Sequence, residues 1–275
     1  MPKKGLNLAM TVASVLMAGV YLFPVFWILV SSFKSDAEIF QYPPTLFPAH
    51  WTIDSYYSGL EGYSIARAFV NSLTISLPSC LLSVVLGVLA AFGLARYRPR
   101  GEKALLLVFL VTQMLPVSLV LTPLFILFKE MHLLNTFAAP ILSTATISVP
   151  FIVLTLRPYF QQMPQELEEA AFLDGLGRWR TFLRIFLPIS APGIVVAVTF
   201  SFLFAWNDLI FSLTFLSKQE NRPLTAGIFN FITQYGIYWN KVMAFGSIVV
   251  LPVLVLFTLF QRRIVAGLTS GALKE

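Results

Sequence analysis

Three carboxylates, Glu166, Glu168 and Glu169, fall within four residues of one another. Ala170-Ala171, Asp174-Gly175 and the basic residues Arg178, Arg180 and Arg184 follow directly. Such clustering stands out in a chain of 275 residues that is 57% hydrophobic and only 12% charged. Closely spaced acids can serve as general acids, bases or metal ligands, but those roles need companions that are missing here. The two histidines, His50 and His132, stand alone in other segments, and Cys80 is the single cysteine, so an internal disulfide and a cysteine metal cluster are excluded. No Ser/His/Asp or Cys/His grouping is visible. No G-x-x-x-x-G-K-[ST] motif occurs, so the chain lacks the usual phosphate-cradling loop and is not expected to be an enzyme by itself. The chemistry left to the acidic cluster is recognition.

Its spacing predicts how. Pro164 suits the first turn of a helix, and the three glutamates suit the positive end of that helix's dipole. Gly175 is a natural left-handed cap, after which a second helical run starts at Arg178 and ends near Pro188. On the first helix, Leu167, Ala170 and Ala171 form a narrow face of small apolar residues beside Glu169. Small residues permit close backbone approach, so this helix has the shape of one that enters a groove on a partner protein. A helix lying on lipid would instead favour basic residues. On the second run Trp179, Phe182 and Phe186, spaced by three and four, are expected to share one face, with Arg180 and Arg184 on the other.

A second group is Trp206-Asn207-Asp208. Asp208 is an acid inside an otherwise apolar run, and an ionisable group there is a functional candidate by default. A carboxylate and an amide suit the hydrogen-bonding groups of a polar solute, and an indole suits its apolar face. The same carboxylate also suits water at the membrane edge or a neighbouring helix. Gln113 with Pro116, and Thr144 with Ser148, are weaker candidates of the same kind, because polar groups in spans often only join helices.

The elements that must position these residues are membrane spans. A helix needs roughly 20 apolar residues to cross about 30 Å of hydrocarbon, and six runs qualify: Ala9–Val30, Ala68–Leu94, Ala104–Phe128, Phe137–Leu156, Pro188–Phe215 and Val242–Phe260. The first run is too long for a signal-peptide core and lacks a small-residue cleavage site, so it reads as a retained helix. With both termini in the cytoplasm, about two thirds of the nineteen lysines and arginines fall on the inner side. The net charge of +6 has this origin and does not point to nucleic acid. The acidic cluster then lies in a large cytoplasmic loop at about 157–187, and a cytoplasmic tail runs over 261–275. Outside, the segment around Gln41–Pro48 (QYPPTLFP) is expected to form an ordered cap. Pro24, Pro78, Pro116, Pro123, Pro140, Pro150, Pro192 and Pro252 fall in or beside spans. Broken helices persist in lipid only when packed inside a bundle, and transmembrane helices also tolerate proline generally, so both moving parts and plain tolerance fit. The expected architecture is an all-α polytopic membrane protein with six transmembrane helices, forming a single domain over 1–275.

The residues of the large loop, EEAAFLDGLGRWRTFLRIFLP, resemble the EAA loop of binding-protein-dependent ABC importer permeases. Glu169-Ala170-Ala171, Gly175, Ile185 and Leu187-Pro188 fall at that family's spacings without a gap. The Asp174-Gly175 pair resembles its carbohydrate branch. YLFPVFWILVSSFKSDAEIF, NSL at Asn71–Leu73, AWNDLIFSLTFL and RRIVAGLTSGALK are similar to the smaller permease of maltose-type systems. The resemblance implies a type I importer permease of MetI-like fold in the bacterial cytoplasmic membrane, carrying a sugar, polyol or glycerol phosphate. It implies that Glu169, Ala170, Ala171, Asp174 and Gly175 form a coupling helix seated in a separate ATPase subunit, which binds the ATP and Mg; the chain itself would need no cofactor. It further implies that the tail residues Gly267, Leu268, Thr269, Ser270 and Gly271 reach the two ATPase subunits. The outer loop Leu216–Lys241 would meet an extracytoplasmic solute-binding protein, and a second, paralogous permease would complete the path. A self-sufficient secondary transporter or channel is the alternative, but it leaves the acidic helix without a purpose.

Overall fold

A computed structural model of the chain describes residues 3–57, 64–234 and 236–270, with side chains for 10–57, 64–234 and 236–262. Long apolar runs without charge have no alternative in lipid to satisfying their backbone internally, and helices dominate accordingly. In chain order the main helices are α1 (Lys3–Ser31), α2 (Ile65–Tyr97), α3 (Glu102–Met114), α4 (Val117–Glu130) and α5 (Ala138–Gln162). They continue with α6 (Glu166–Leu173), α7 (Arg178–Ile189), α8 (Ala191–Trp206), α9 (Ile210–Phe215) and α10 (Trp239–Ser270). A two-residue hairpin, β1 (Ile232–Thr233) with β2 (Gly236–Ile237), precedes α10.

Among the described residues four helices are long and apolar enough to span alone: Met10–Ser31 within α1, α2, α5 and Trp239–Arg262 within α10. Two bent pairs raise the number to six. The third expected span is one of them. Its halves, α3 and α4, meet at 102° across Leu115-Pro116, so it is a broken helix and not a continuous one. The fifth is the other: α7 and α8 meet at 80° around Ser190. This span is thus broken at Ser190, with Pro188 in the half before the bend. Pro24, Pro78, Pro123, Pro150, Pro158 and Pro252 all lie inside unbroken helices.

The chain divides into two compact units, Met1–Ala66 with Gly227–Val253 and Arg67–Ala226 with Leu254–Glu275. In the first unit the outer cap is ordered, as the proline-rich segment suggested. Tyr56 Oη meets Ser32 Oγ at 2.7 Å and Ser247 Oγ at 2.9 Å. Lys34, 2% exposed, donates to the Thr45 carbonyl and lies over the Trp27 ring. Glu38 Oε1 accepts the Ala49 N–H at 2.6 Å, which fixes the extended stretch between them.

The second unit holds the candidate site. Its centre is the packing of α2, α5 and α8. Small residues let these helices approach closely, as expected where lipid supplies no hydrophobic drive for helix association. A Cβ added at Gly87 of α2 would lie 2.6 Å from Ile152 Cγ2 of α5. Ser79 and Thr144 join the same two helices through buried hydroxyls 2.7 Å apart, and Gln113 Nε2 donates to the Ile147 carbonyl at 2.9 Å, tying α3 to α5. Gln113 and Thr144 thus spend hydrogen bonds on joining helices.

Candidate coupling helix and outer cavity

α6 begins at Glu166, two residues later than Pro164 suggested, with Glu166, Glu168 and Glu169 in its first turn. Its end follows the expected chemistry closely. Gly175 adopts φ +76°, the Leu176 N–H donates to the Ala171 carbonyl at 2.9 Å, and the Gly175 N–H donates to the Phe172 carbonyl at 3.0 Å. This pair of crossed bonds is the Schellman motif. It stops the helix after two turns and sends the chain back towards the membrane through α7.

The side chains of α6 sort into two faces. Glu166, Glu169, Ala170 and Leu173, at helical spacings of three and four, are all exposed, and Leu173 is 90% exposed. Ala171 is buried. The two alanines, expected together on the docking face, are therefore parted: Ala170 faces outward and Ala171 is the seat on the protein's own body. Asp174 and Gly175 stay exposed at the turn. An exposed leucine on the same face as the Glu166 and Glu169 carboxylates is a feature that the sequence alone does not single out.

Beside α6, the helix that follows it packs into an aromatic box. Phe92 of α2 contacts Phe182 and Phe186 of α7 at 4.7 and 5.2 Å between ring centroids, and Phe160 of α5 at 5.5 Å. Met163, Leu156 and Ile152 complete this buried cluster. The second helical run keeps the expected face but not the expected hydrogen bonding. Phe182–Phe186 forms a π-helix, whose wider turn carries the buried stripe through Thr181, Phe182, Phe186 and Ser190. Trp179 is left at the rim, 60% exposed and touching Phe182 at 5.4 Å. Arg180 and Arg184 are exposed as expected. Arg157 at the inner end of α5 pairs with Glu102 at the start of α3, closing the inner rim of the bundle.

A cleft of about 350 Å³ opens between α6 and the inner end of α2, lined by Arg96, Arg98, Gln165, Glu168, Glu169 and Phe172 among others. Among the described residues no group of three histidines, cysteines or acids could hold a metal ion.

The outer candidates are also separated by the fold. Trp206 is 2% exposed, stacked on Phe202 at 5.5 Å and edge-on to Phe69 at 5.8 Å. Asn207 and Asp208 instead line a cavity of about 320 Å³ with Thr144, Ile147, Phe204 and Phe211. The Asp208 carboxylate caps α9, accepting from the Phe211 N–H at 3.2 Å, the Ser212 N–H at 2.9 Å and Ser212 Oγ at 2.7 Å. Replacing Asp208 with alanine removes that cap. It is expected to cost about 1 kcal/mol, within the range of lost helix caps, read as a lowered thermal midpoint of the purified protein in detergent.

The outer loop is pinned by amides and hydroxyls. Asn71 Nδ2 donates to the carbonyls of Glu220 and Arg222 at 2.8 and 3.1 Å, and Ser72 Oγ accepts the Leu224 N–H at 2.9 Å. This explains why Asn71-Ser72 sits at the outer end of α2. Asn135, at φ +61°, accepts the Ser217 N–H at 2.7 Å and Ser217 Oγ at 2.6 Å on one oxygen. The tail residues Gly267 to Ser270 continue α10 as backbone only; their side chains, and Gly271 entirely, lie outside the described residues.

Bent apolar spans carrying a capped acidic helix on their inner ends define an integral membrane permease. Residues 83–270 match the family described as binding-protein-dependent transport system inner membrane component. The chain is 34% identical over 265 residues to the trehalose transport system permease protein SugB of Mycobacterium tuberculosis, covering 96% of each. It is 32% identical over 253 residues to the diacetylchitobiose uptake system permease protein DasC of Streptomyces coelicolor, covering 92% of each. In fold it is similar to a chain in the crystal structure of a bacterial ABC transporter involved in import of the acidic polysaccharide alginate. That likeness has a TM-score of 0.78 at 18% identity and covers 95% of this chain and 97% of that one. The chain belongs to the binding-protein-dependent transport permeases: it is an inner-membrane permease subunit of an ABC importer, with the MetI-like fold. The secondary-transporter reading falls with this match.

Proposed function

We propose that this permease carries a sugar or a related glycoside, and that α6 is the helix through which ATP hydrolysis in a separate subunit drives it. The observation that carries the reading is the outward face Glu166, Glu169, Ala170 and Leu173, on a helix ended by the Gly175 cap and tied to α2 by the Arg96–Glu168 pair. A free carboxylate beside a bare leucine suits a cleft with one basic residue and an apolar floor. Relatives named for trehalose and diacetylchitobiose uptake support a disaccharide-sized solute. Two ATPase subunits holding ATP and Mg, a second permease and an extracytoplasmic solute-binding protein would complete the machine. A solved relative in the fold family is an alginate transporter in complex with a pentasaccharide-bound periplasmic protein. Asn207 and Asp208 are the residues of this chain placed to meet the solute on its outer side, and the tail from Gly267 is the second contact with the ATPases.

The test is the reconstituted complex with Glu169→Lys. Basal ATP hydrolysis should persist. Stimulation by loaded binding protein and disaccharide uptake should both fall roughly 5- to 150-fold, the usual span of coupling between sites. Unchanged stimulation and uptake would overturn the role of α6; absence of any stimulation in the wild-type complex would overturn the importer reading itself.

A further inference from the structure

Arg96 lies at the inner end of α2, where it reads as one more basic residue flanking a span. Its side chain is only 6% exposed. Nη2 donates to the Pro164 carbonyl at 3.3 Å, just ahead of α6. The guanidinium lies over the Phe186 ring of α7, 4.4 Å from its centroid, and Nε lies 3.8 Å from Glu168 Oε2 of α6. One planar group thus touches the helix that enters the membrane, the start of the acidic helix and the helix that follows it. Nε has no hydrogen-bond partner among the described residues, so the contact with Glu168 has room to tighten.

We infer that Arg96 is a positioning residue for energy coupling: it clasps α6 to α2 and α7, so that a displacement of α6 is passed to both spans. The inference rests on α6 being the driven helix. The chemistry requires arginine. Its fork reaches a carbonyl and a carboxylate while its plane stacks on an aromatic face; lysine, a point charge on a flexible stem, cannot do all three. The pairing also divides labour among the glutamates. Glu168 is drawn inward to Arg96 and leaves Glu169 exposed for an outside partner. The aromatic box also holds α7 to α2, whereas among the described residues Arg96 makes the one ion pair between α2 and α6.

The experiment uses the whole reconstituted complex and reads solute taken up per ATP hydrolysed in Arg96→Met, Arg96→Lys and Glu168→Gln. Thermal midpoints are recorded on the same preparations. The expected result is an assembled complex that hydrolyses ATP on stimulation while uptake per ATP falls about tenfold in Arg96→Met, within the range of coupling effects. Arg96→Lys and Glu168→Gln should fall by less. A stabilising scaffold role alone would lower the midpoint and leave the ratio where it was, and that result overturns the inference. Should Arg96→Met fail to assemble, the two milder variants decide: a lowered ratio in either supports the clasp, and wild-type ratios in both overturn it. Loss of wild-type stimulation would strike the importer reading instead, so the two failures are distinguishable.

Discussion

Phe92→Ala is expected to lower the stability of the permease by about 3–5 kcal/mol, the range for emptying a large aromatic site in a packed core. Phe92 makes ring contacts with Phe160, Phe182, Phe186 and Tyr97. These partners come from α5, α7 and the end of α2, so no single helix can move in to fill the space without leaving another contact. The loss should appear as a lower thermal midpoint of the purified protein and as easier proteolysis between Met163 and Arg178. Phe92→Leu keeps much of the volume and should lose far less, as volume-conserving exchanges do. A Phe92→Ala protein with an unchanged midpoint would mean that the box does not hold α7 in place.

The second large effect is expected at Gly87. An alanine there places its methyl 2.6 Å from Ile152 Cγ2 and 2.7 Å from Ile152 Cβ. The nearer atom is a branch and the farther one is fixed to the backbone, so rotating the isoleucine does not clear the clash. α2 and α5 must move apart, at a cost of about 1–3 kcal/mol for overpacking. Their separation would also stretch the Ser79–Thr144 hydrogen bond. Ile152→Ala removes only one of the two clashing atoms and should rescue Gly87→Ala incompletely. Gly193→Ala is the control. Its new methyl meets Leu156 Cδ2 at 3.0 Å and the Tyr159 ring at 3.4 Å, so these neighbours need give only a few tenths of an ångström and the midpoint should fall less than in Gly87→Ala.

Much of this architecture was readable from residue order, for identifiable reasons. The spans were legible because uncharged runs of that length have one outcome in lipid. The end of α6 was legible because Gly175 suits a left-handed backbone, and it takes one. The break at Leu115-Pro116 was not, because Pro78, Pro150 and Pro252 look the same on paper and leave their helices whole. What a proline does depends on which neighbours can satisfy the carbonyl it frees. Trp179 keeps its ring contact with Phe182, as the spacing suggests, but the π-turn that follows has no composition of its own and could not be read. Trp206 and Asp208 are near neighbours in sequence, yet the indole is stacked into the core while Asp208 both lines the outer cavity and caps a helix. Arg96 was hidden by its own setting. An arginine just past an apolar run is what orientation alone demands, and only the fold shows what else it holds.

The pinning of the outer loop bears on how this protein can change over time. Asn135 grips the loop at Ser217, and Asn71 and Ser72 grip it again at Glu220, Arg222 and Leu224. Each anchor is a side chain outside the loop, two near the start of α2 and one in the turn before α5, that reaches a backbone atom of the loop, so the intervening residues can be exchanged while their number cannot. An insertion between Ser217 and Leu224 would throw one anchor out of reach. Descendants of this permease should therefore differ freely in which residues they show along that stretch and hardly at all in its length.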